Sequence, residues 1–359
     1  MKIKYPKSTM IFVKTTEDCN LKCEHCYLGM EKPKDEFDPS KTARWLKEYQ
    51  EETDSEIQLC IHGGEPLMVE VDNINYLINR LKEQDVEVKL SIATNLVYNL
   101  TPKKIELLKR IGNVATSWDA QDIRRFAYSS EHYTWYQNMQ TMTNYVDMTI
   151  ITSMSQGLIN ISPERYANKL IDWNTKFVIL ERLMGTANMP QSIVPKNWDV
   201  DSWCLELFDL TIEKEYYNIF SNVIFDSMIA AELYGGRPST YSRDCNSQVL
   251  TLNANGTISG CPSNSFEVYG RMDNSIKDLF KSKMRVKFAL HESRFNEVCF
   301  KCDQFDFCGG GCILTDWQGN HCNNLSRTMR KIRKFTKENP EVARKIVTNN
   351  KYITEVKNA

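Results

Sequence analysis

Six apolar or β-branched runs, at 10–16, 56–62, 86–94, 113–119, 146–154 and 176–184, alternate with amphipathic stretches. That alternation constrains the fold more than any other feature. Strands separated by helices pair in parallel through right-handed crossovers, so repeated units of this kind build an α/β body. Helix starts are marked between the runs. Asp38-Pro39, Thr101-Pro102 and Ser162-Pro163 each place a capping side chain before a proline suited to the first helical position. In the stretch from Thr101, Ile105, Leu108 and Ile111 share one face. The pattern predicts an incomplete barrel of parallel strands, a partial (βα)6 unit, with its chemistry on the loops at the C-terminal strand ends.

Beyond the alternation the pattern changes. Residues from Asp199 to about Gly235 read as helical. Val249-Leu250-Thr251-Leu252 and Thr257-Ile258 flank Asn253-Ala254-Asn255-Gly256, a hairpin signal. Residues 296–324 are cysteine-rich and loop-like, and the chain ends in one or two basic helices broken at Asn339-Pro340. The predicted domains are a barrel over 1–220, a smaller cysteine-rich domain over 221–324 with its linker, and a helical tail over 325–359. The tail holds ten Lys/Arg against three Glu, so its charge of +7 leaves −8 on the rest of a chain whose net charge is −1. A solvated helix face accounts for such a tail, and so does an anionic partner such as nucleic acid. No apolar stretch approaches the roughly 18 residues of a membrane span. Ile11-Phe12-Val13 is too short for a signal-peptide core, so the expected location is the cytoplasm.

Twelve cysteines are many for a chain in a reducing compartment, and their spacing argues for metal or redox chemistry rather than disulfides. Cys19, Cys23 and Cys26 stand as C-x3-C-x2-C directly after the first strand. Three thiolates on one loop hold three corners of a cubane and leave the fourth iron open, whereas structural zinc takes four ligands. Cys245 and Cys261 enclose the hairpin, and Cys299, Cys302, Cys308 and Cys312 follow as C-x2-C-x5-C-x3-C, then Cys322. C-x2-C pairs also suit a zinc knuckle. Cys60 lies inside an apolar strand and Cys204 on a helix beside Trp203; both read as core residues. His62 stands next to the Gly63-Gly64 turn and is expected near the cofactor pocket.

The first motif resembles that of the radical SAM superfamily, with His25 where the family usually has an aromatic residue, and Tyr27 after the third cysteine. Gly63-Gly64-Glu65-Pro66 is similar to the family's GGEP motif, Thr94-Asn95 to its TN, and Ser117-Trp118-Asp119 to its S-x-D. The resemblance implies one 4Fe–4S cluster on Cys19, Cys23 and Cys26, whose open iron holds S-adenosylmethionine. Reductive cleavage of that molecule would give a 5′-deoxyadenosyl radical, which abstracts hydrogen from an unactivated C–H bond. Gly63, Gly64, Glu65, Pro66, Asn95, Ser117, Asp119, His25 and Tyr27 would line the pocket, Glu65 receiving the methionyl ammonium. No catalytic side chain is assigned beyond cluster and cofactor.

The later cysteines resemble a SPASM domain, the auxiliary-cluster module of peptide-modifying radical SAM maturases. The resemblance implies one auxiliary 4Fe–4S cluster on Cys299, Cys302, Cys308 and Cys322, and a second on Cys245, Cys261 and Cys312, without a fourth cysteine in residues 237–244. Gly309-Gly310-Gly311 is expected where backbone passes close to a cluster. A peptide or protein side chain is the leading substrate class, with a flavodoxin or ferredoxin as the reducing partner. Pro262 follows Cys261 where sulfatase-maturing relatives carry an aspartate, which disfavours that subtype. With 18 residues ahead of Cys19, no leader-binding domain is expected before the barrel. Two other readings stand: radical modification of a group carried on nucleic acid or another anionic molecule, and a non-catalytic iron–sulfur electron carrier.

Overall fold

The protein was analysed as a computed structural model, which describes residues 3–29, 33–120, 125–183, 189–238, 245–264 and 267–350. The end of the run at 176–184, most of the 237–244 segment, and Lys351, Glu355 and Lys357 of the tail lie outside the described residues.

The barrel half runs β1 (Ser8–Lys14), α1 (Pro39–Thr53), β2 (Glu56–His62), α2 (Val71–Glu83), β3 (Val88–Ala93), α3 (Pro102–Ile111), β4 (Val114–Ser117), α4 (Ser129–Met142), β5 (Met148–Met154), a short α5 (Gln156–Ile159), α6 (Pro163–Asp172) and β6 (Phe177–Arg182). Then come α7 (Asn197–Glu213), β7 (Ser221–Asn222), α8 (Val223–Tyr234), α9 (Cys245–Gln248), β8 (Val249–Leu252), β9 (Thr257–Ser259), β10 (Val268–Arg271), α10 (Ile276–Phe280), α11 (Lys283–Glu292), α12 (Phe305–Cys308), α13 (Ser326–Glu338) and α14 (Pro340–Asn349).

The marked helix starts have a physical basis in the structure. Asp38, Thr101 and Ser162 are extended, and each side-chain oxygen accepts the amide of the residue three on, with proline in the first turn. The sheet has ten strands in the order β10-β9-β8-β1-β2-β3-β4-β5-β6-β7. Strands from β8 to β7 pair in parallel, and β9 and β10 are antiparallel additions. The sheet ends at β10 and β7, as an open barrel requires. The hairpin is therefore part of the barrel's own sheet: β8 pairs with β1, Met10 opposite Val249. Gly256, at φ +79°, supplies the left-handed residue of its turn.

Side chains alternate across this sheet. Ile11, Val13, Leu59, Ile61 and Ile92 are fully buried and share one apolar core with Trp45, Leu46, Ile74 and Leu77 of the covering helices. The opposite faces carry Phe12, His62, Ser91, Ser117, Ile179 and Glu181, none of them fully buried. A period of two puts these residues on the inner wall, where they line a lumen. Among the described residues no helix is long and apolar enough to cross a membrane.

Candidate active site

The cysteine loop leaves the C-terminal end of β1 and lies along the glycine turn that ends β2. The Gly64 amide donates to the Thr16 carbonyl at 2.9 Å, and the Glu65 amide to the Asp18 carbonyl at 2.9 Å. A Cβ on Gly64 would stand 2.3 Å from Asp18 O, and one on Gly63 2.2 Å from Thr16 O. The glycines therefore admit the chain's own cysteine loop at backbone contact distance. Pro66 is buried behind them, and its carbonyl accepts the Thr15 hydroxyl at 3.1 Å.

Glu65 has a different place from the one its motif suggested. It is fully buried, and its carboxylate accepts the Leu67 amide at 2.9 Å, the Thr94 hydroxyl at 2.8 Å and the Asn95 amide at 2.6 Å. Burial pushes its carboxyl up to about 7. Glu65 joins the β2 and β3 loops, and its carboxylate presents no accessible surface to a ligand. The same network ends at Asn95, also buried, whose side-chain Nδ2 donates to Asn20 Oδ1 at 2.7 Å and lies 3.7 Å from Cys19 Sγ.

On the other side, Asp119 sits just past β4. Its Oδ1 accepts the Ser153 amide at 2.9 Å and its Oδ2 the Arg125 Nε at 2.6 Å, with His25 Nε2 at 3.4 Å. Burial raises the Asp119 carboxyl, but Arg125, His25 and the Ser153 donors outweigh it and hold the group below its ordinary range. Burial lowers His25 to about 4, against the pull of Asp119, so the imidazole is neutral. The Arg125 carbonyl lies 3.8 Å from Cys23 Sγ. Burial also raises the Cys23 thiol to about 11. Ser117 lies on the inner face of β4 opposite Ile151.

Lys14, at the end of β1, is fully buried and pairs with Glu17 at 3.2 Å. Its Nζ lies 5.4 Å from the centre of the Tyr27 ring. Burial lowers Lys14 from its usual range, while Glu17, Cys261 and Cys26 pull it back up. The buried Tyr27 hydroxyl and His62 Nδ1 have no hydrogen-bond partner among the described residues, and burial lowers His62 to about 4. Cys26 and Cys261 both act on Tyr27, so the first cysteine group and the hairpin cysteine address one lumen.

Cys299, Cys302, Cys308 and Cys322 line one cavity of about 330 Å³, together with Trp198 and Arg330. Amides two residues on point at the sulfurs: Gln304 N at 3.4 Å from Cys302, and Asn324 N at 3.3 Å from Cys322. The Asn324 side-chain amide donates to Cys308 at 3.1 Å. The Gly310 and Gly311 amides also point at Cys308, and these glycines have φ of +94° and +73°. Leu21 N makes the corresponding contact to Cys19 at 3.4 Å. Cys261 and Cys312 are close enough for their charges to interact; Cys245 opens α9, which lies against β1.

Cys60 and Cys204 contrast with these. Cys204 is fully buried with its Sγ 3.6 Å from Met154 Sδ, and Cys60 is inside β2 with its Sγ 3.8 Å from the Ile61 carbonyl. Both are core thiols, as their sequence context predicts.

Residues 13–164 match the radical SAM superfamily. That segment holds Cys19, Cys23 and Cys26 and the Gly63-Gly64-Glu65-Pro66 turn. A radical SAM member is an enzyme that uses S-adenosylmethionine and a 4Fe–4S cluster. No curated protein matches the sequence. Solved structures share the fold: anSMEcpe with bound AdoMet and the Kp18Cys peptide, at 18% identity and a TM-score of 0.79, covers 94% of this chain and 99% of that one. Streptococcus suis SuiB bound to its precursor peptide SuiA, at 15% identity and a TM-score of 0.62, covers 86% of this chain and 72% of that one. Arg125, Lys14 and Glu181 are lumen residues that no motif announced. The only sequence signal for Lys14 and Glu181 is a charge at an inward position of an apolar strand.

The basic tail is engaged inside the molecule. Arg330 pairs with Asp303 at 2.5 Å, Arg333 with Glu232 at 2.6 Å and Lys331 with Asp209 at 2.8 Å. Lys337 also reaches Glu232, Lys334 pairs with Glu338, and Arg344 with Glu341. Arg327 stacks on Trp198, and Lys345 lies over Tyr217.

Proposed function

We propose that this radical SAM enzyme modifies a peptide or protein side chain and carries two auxiliary clusters behind its barrel. The observation that carries the reading is the pairing of β8 with β1, Met10 opposite Val249, which joins the hairpin leading to Cys261 to the strand leading to Cys19, Cys23 and Cys26. The donor set fits iron–sulfur ligation. Among the described residues no three Cys, His, Asp or Glu side chains converge on a single-ion site, whereas a cubane takes its thiolates at separate corners. Amide donors aimed at cysteine sulfur stabilise ligating thiolates, and burial raises the Cys23, Cys261, Cys308 and Cys322 thiols, so a metal bound there displaces protons.

Cys19, Cys23 and Cys26 would hold the radical SAM cluster. Cys299, Cys302, Cys308 and Cys322 would hold one auxiliary cluster, and Cys261 and Cys312, with Cys245, the other. The cluster–cofactor pair supplies a 5′-deoxyadenosyl radical that takes hydrogen from a C–H bond. The protein's part is positional. Gly63 and Gly64 fix the cysteine loop, Glu65 ties it to the β3 loop, and Asp119 with Arg125 orients neutral His25 beside Cys23. Ser117, Asn95 and Tyr27 lie on the walls of the same pocket. The peptide reading draws support from the peptides seen with the anSMEcpe and SuiB folds. A flavodoxin or ferredoxin would deliver the electron. The proposed division is a barrel over 1–220, an auxiliary-cluster region over 221–324 whose strands β7 to β10 extend the barrel's sheet, and a tail over 325–359.

Anaerobic reconstitution should give about twelve irons per chain, three cubanes, and 5′-deoxyadenosine on reduction. Mass spectrometry of peptides from neighbouring genes then identifies the product. Four irons with zinc in the C-terminal region would remove the auxiliary clusters from the proposal. The nucleic-acid reading rested on the tail, whose eight described Lys/Arg all have internal partners, and this favours a peptide. Tight, salt-sensitive DNA binding lost on deleting residues 325–359 would reverse that order.

A further inference from the structure

Glu181 stands at the C-terminal end of β6, opposite Ser153 in the parallel register. Its side chain is open to water although protein encloses it, which makes it part of a cavity wall. The charges around it are already matched in pairs. Lys14 is taken by Glu17, and Arg125 by Asp119. His25 is engaged by Asp119 at 3.4 Å and Arg125 at 3.2 Å, and His62 is held neutral by burial. Glu181 has no hydrogen-bond or ion-pair partner among the described residues, so it leaves one uncompensated negative charge on this wall. A second observation marks the same place. The Tyr27 hydroxyl is buried with no hydrogen-bond partner among the described residues, its ring centre 5.4 Å from Lys14 Nζ.

We propose that Glu181 recognises a cationic side chain of the substrate, the ammonium of Lys or the guanidinium of Arg, and so selects which residue of a peptide enters the lumen. The inference rests on the peptide reading above and adds the substrate's charge class. A carboxylate in an enclosed cavity gains most from a partner that supplies both opposite charge and N–H donors. Burial, with Asp119 nearby, raises the Glu181 carboxyl above its usual range, and a bound cation reverses that shift.

The test uses the reconstituted full chain with S-adenosylmethionine bound and two probes, Ac-Gly-Lys-Gly-NH2 and Ac-Gly-Nle-Gly-NH2, in isothermal titration. The lysine peptide should bind at least about tenfold more tightly than its uncharged isostere. Glu181→Gln should remove that preference while leaving the norleucine peptide and S-adenosylmethionine affinities unchanged. Glu181→Lys should transfer the preference to Ac-Gly-Glu-Gly-NH2, which a folding defect would not do. Equal binding of the lysine and norleucine peptides by the wild type, or a preference that survives in Glu181→Gln, overturns the inference. A Glu181→Gln protein that loses S-adenosylmethionine affinity would assign the residue to the cofactor and overturn it as well. Wild-type protein that binds no S-adenosylmethionine would instead refute the reading on which the inference rests.

Discussion

The two ends of the chain hold their cysteines in opposite ways. Cys19, Cys23 and Cys26 ride on a loop fixed by backbone contact with a glycine turn, at the mouth of a lumen. Cys299, Cys302, Cys308 and Cys322 surround a cavity of about 330 Å³, with amide donors aimed at Cys302, Cys308 and Cys322. A helix, α13, braces that cavity through Arg330 and Asp303. The first arrangement offers three ligands beside open space, which suits a cluster that must accept a substrate. The second sets four thiols around one cavity, the number that the proposed auxiliary cluster would take. The number of thiols and the presence of space beside them separate the two roles.

Replacing Cys19, Cys23 and Cys26 together by Ala breaks the comparison most sharply. The variant should make no 5′-deoxyadenosine and lose about four of about twelve irons while keeping the rest. Iron assay and chromatography measure both. Loss of all iron would mean that the two regions do not load independently.

Gly64→Ala tests the mouth alone. Its new Cβ would lie 2.3 Å from Asp18 O and 2.4 Å from Glu17 O, so backbone must move. A stability loss of about 3 kcal/mol is expected in urea unfolding, with release of the N-terminal cluster before the others. An unchanged midpoint would show that this close approach is not required.

A third test lies away from both cysteine groups and serves as their contrast. Burial raises the Asp226 carboxyl to about 7, against the Asn350 and Ser221 donors, of which Asn350 Nδ2 lies 2.7 Å away. A carboxyl whose folded pKa exceeds its unfolded value of about 4 gives stability that is full below that value. That contribution is lost as pH rises towards 7. Asp226→Asn should flatten this part of the stability profile without changing iron content. A slope equal to that of the wild type would refute the assignment.

The smallest effect is expected for Arg330→Ala. It removes an exposed pair to Asp303 and should cost about 0.5 kcal/mol, less at high salt. Thermal unfolding at two ionic strengths measures it. A much larger loss, accompanied by iron release, would show that α13 holds the closed cavity shut.

Sequence alone determined much of the local architecture. The three capped helix starts, the Asn-Gly hairpin and the break at Asn339-Pro340 each depend on neighbours in the chain, and local chemistry settles them. The cysteine spacing likewise put Cys19, Cys23 and Cys26 on one loop, because they are close in sequence. What only the tertiary structure decided depends on contacts between distant residues. Pairing of β8 with β1 brings Cys261 to the lumen that Cys26 enters. Glu65 turned from a presumed ligand contact into an internal tie because donors from the next βα unit close over it. Arg125, Lys14 and Glu181 carry charges that no local pattern explains. Their meaning depends on the partners that the fold gives them: Glu17 for Lys14, Asp119 for Arg125 and, among the described residues, no ion-pair partner for Glu181.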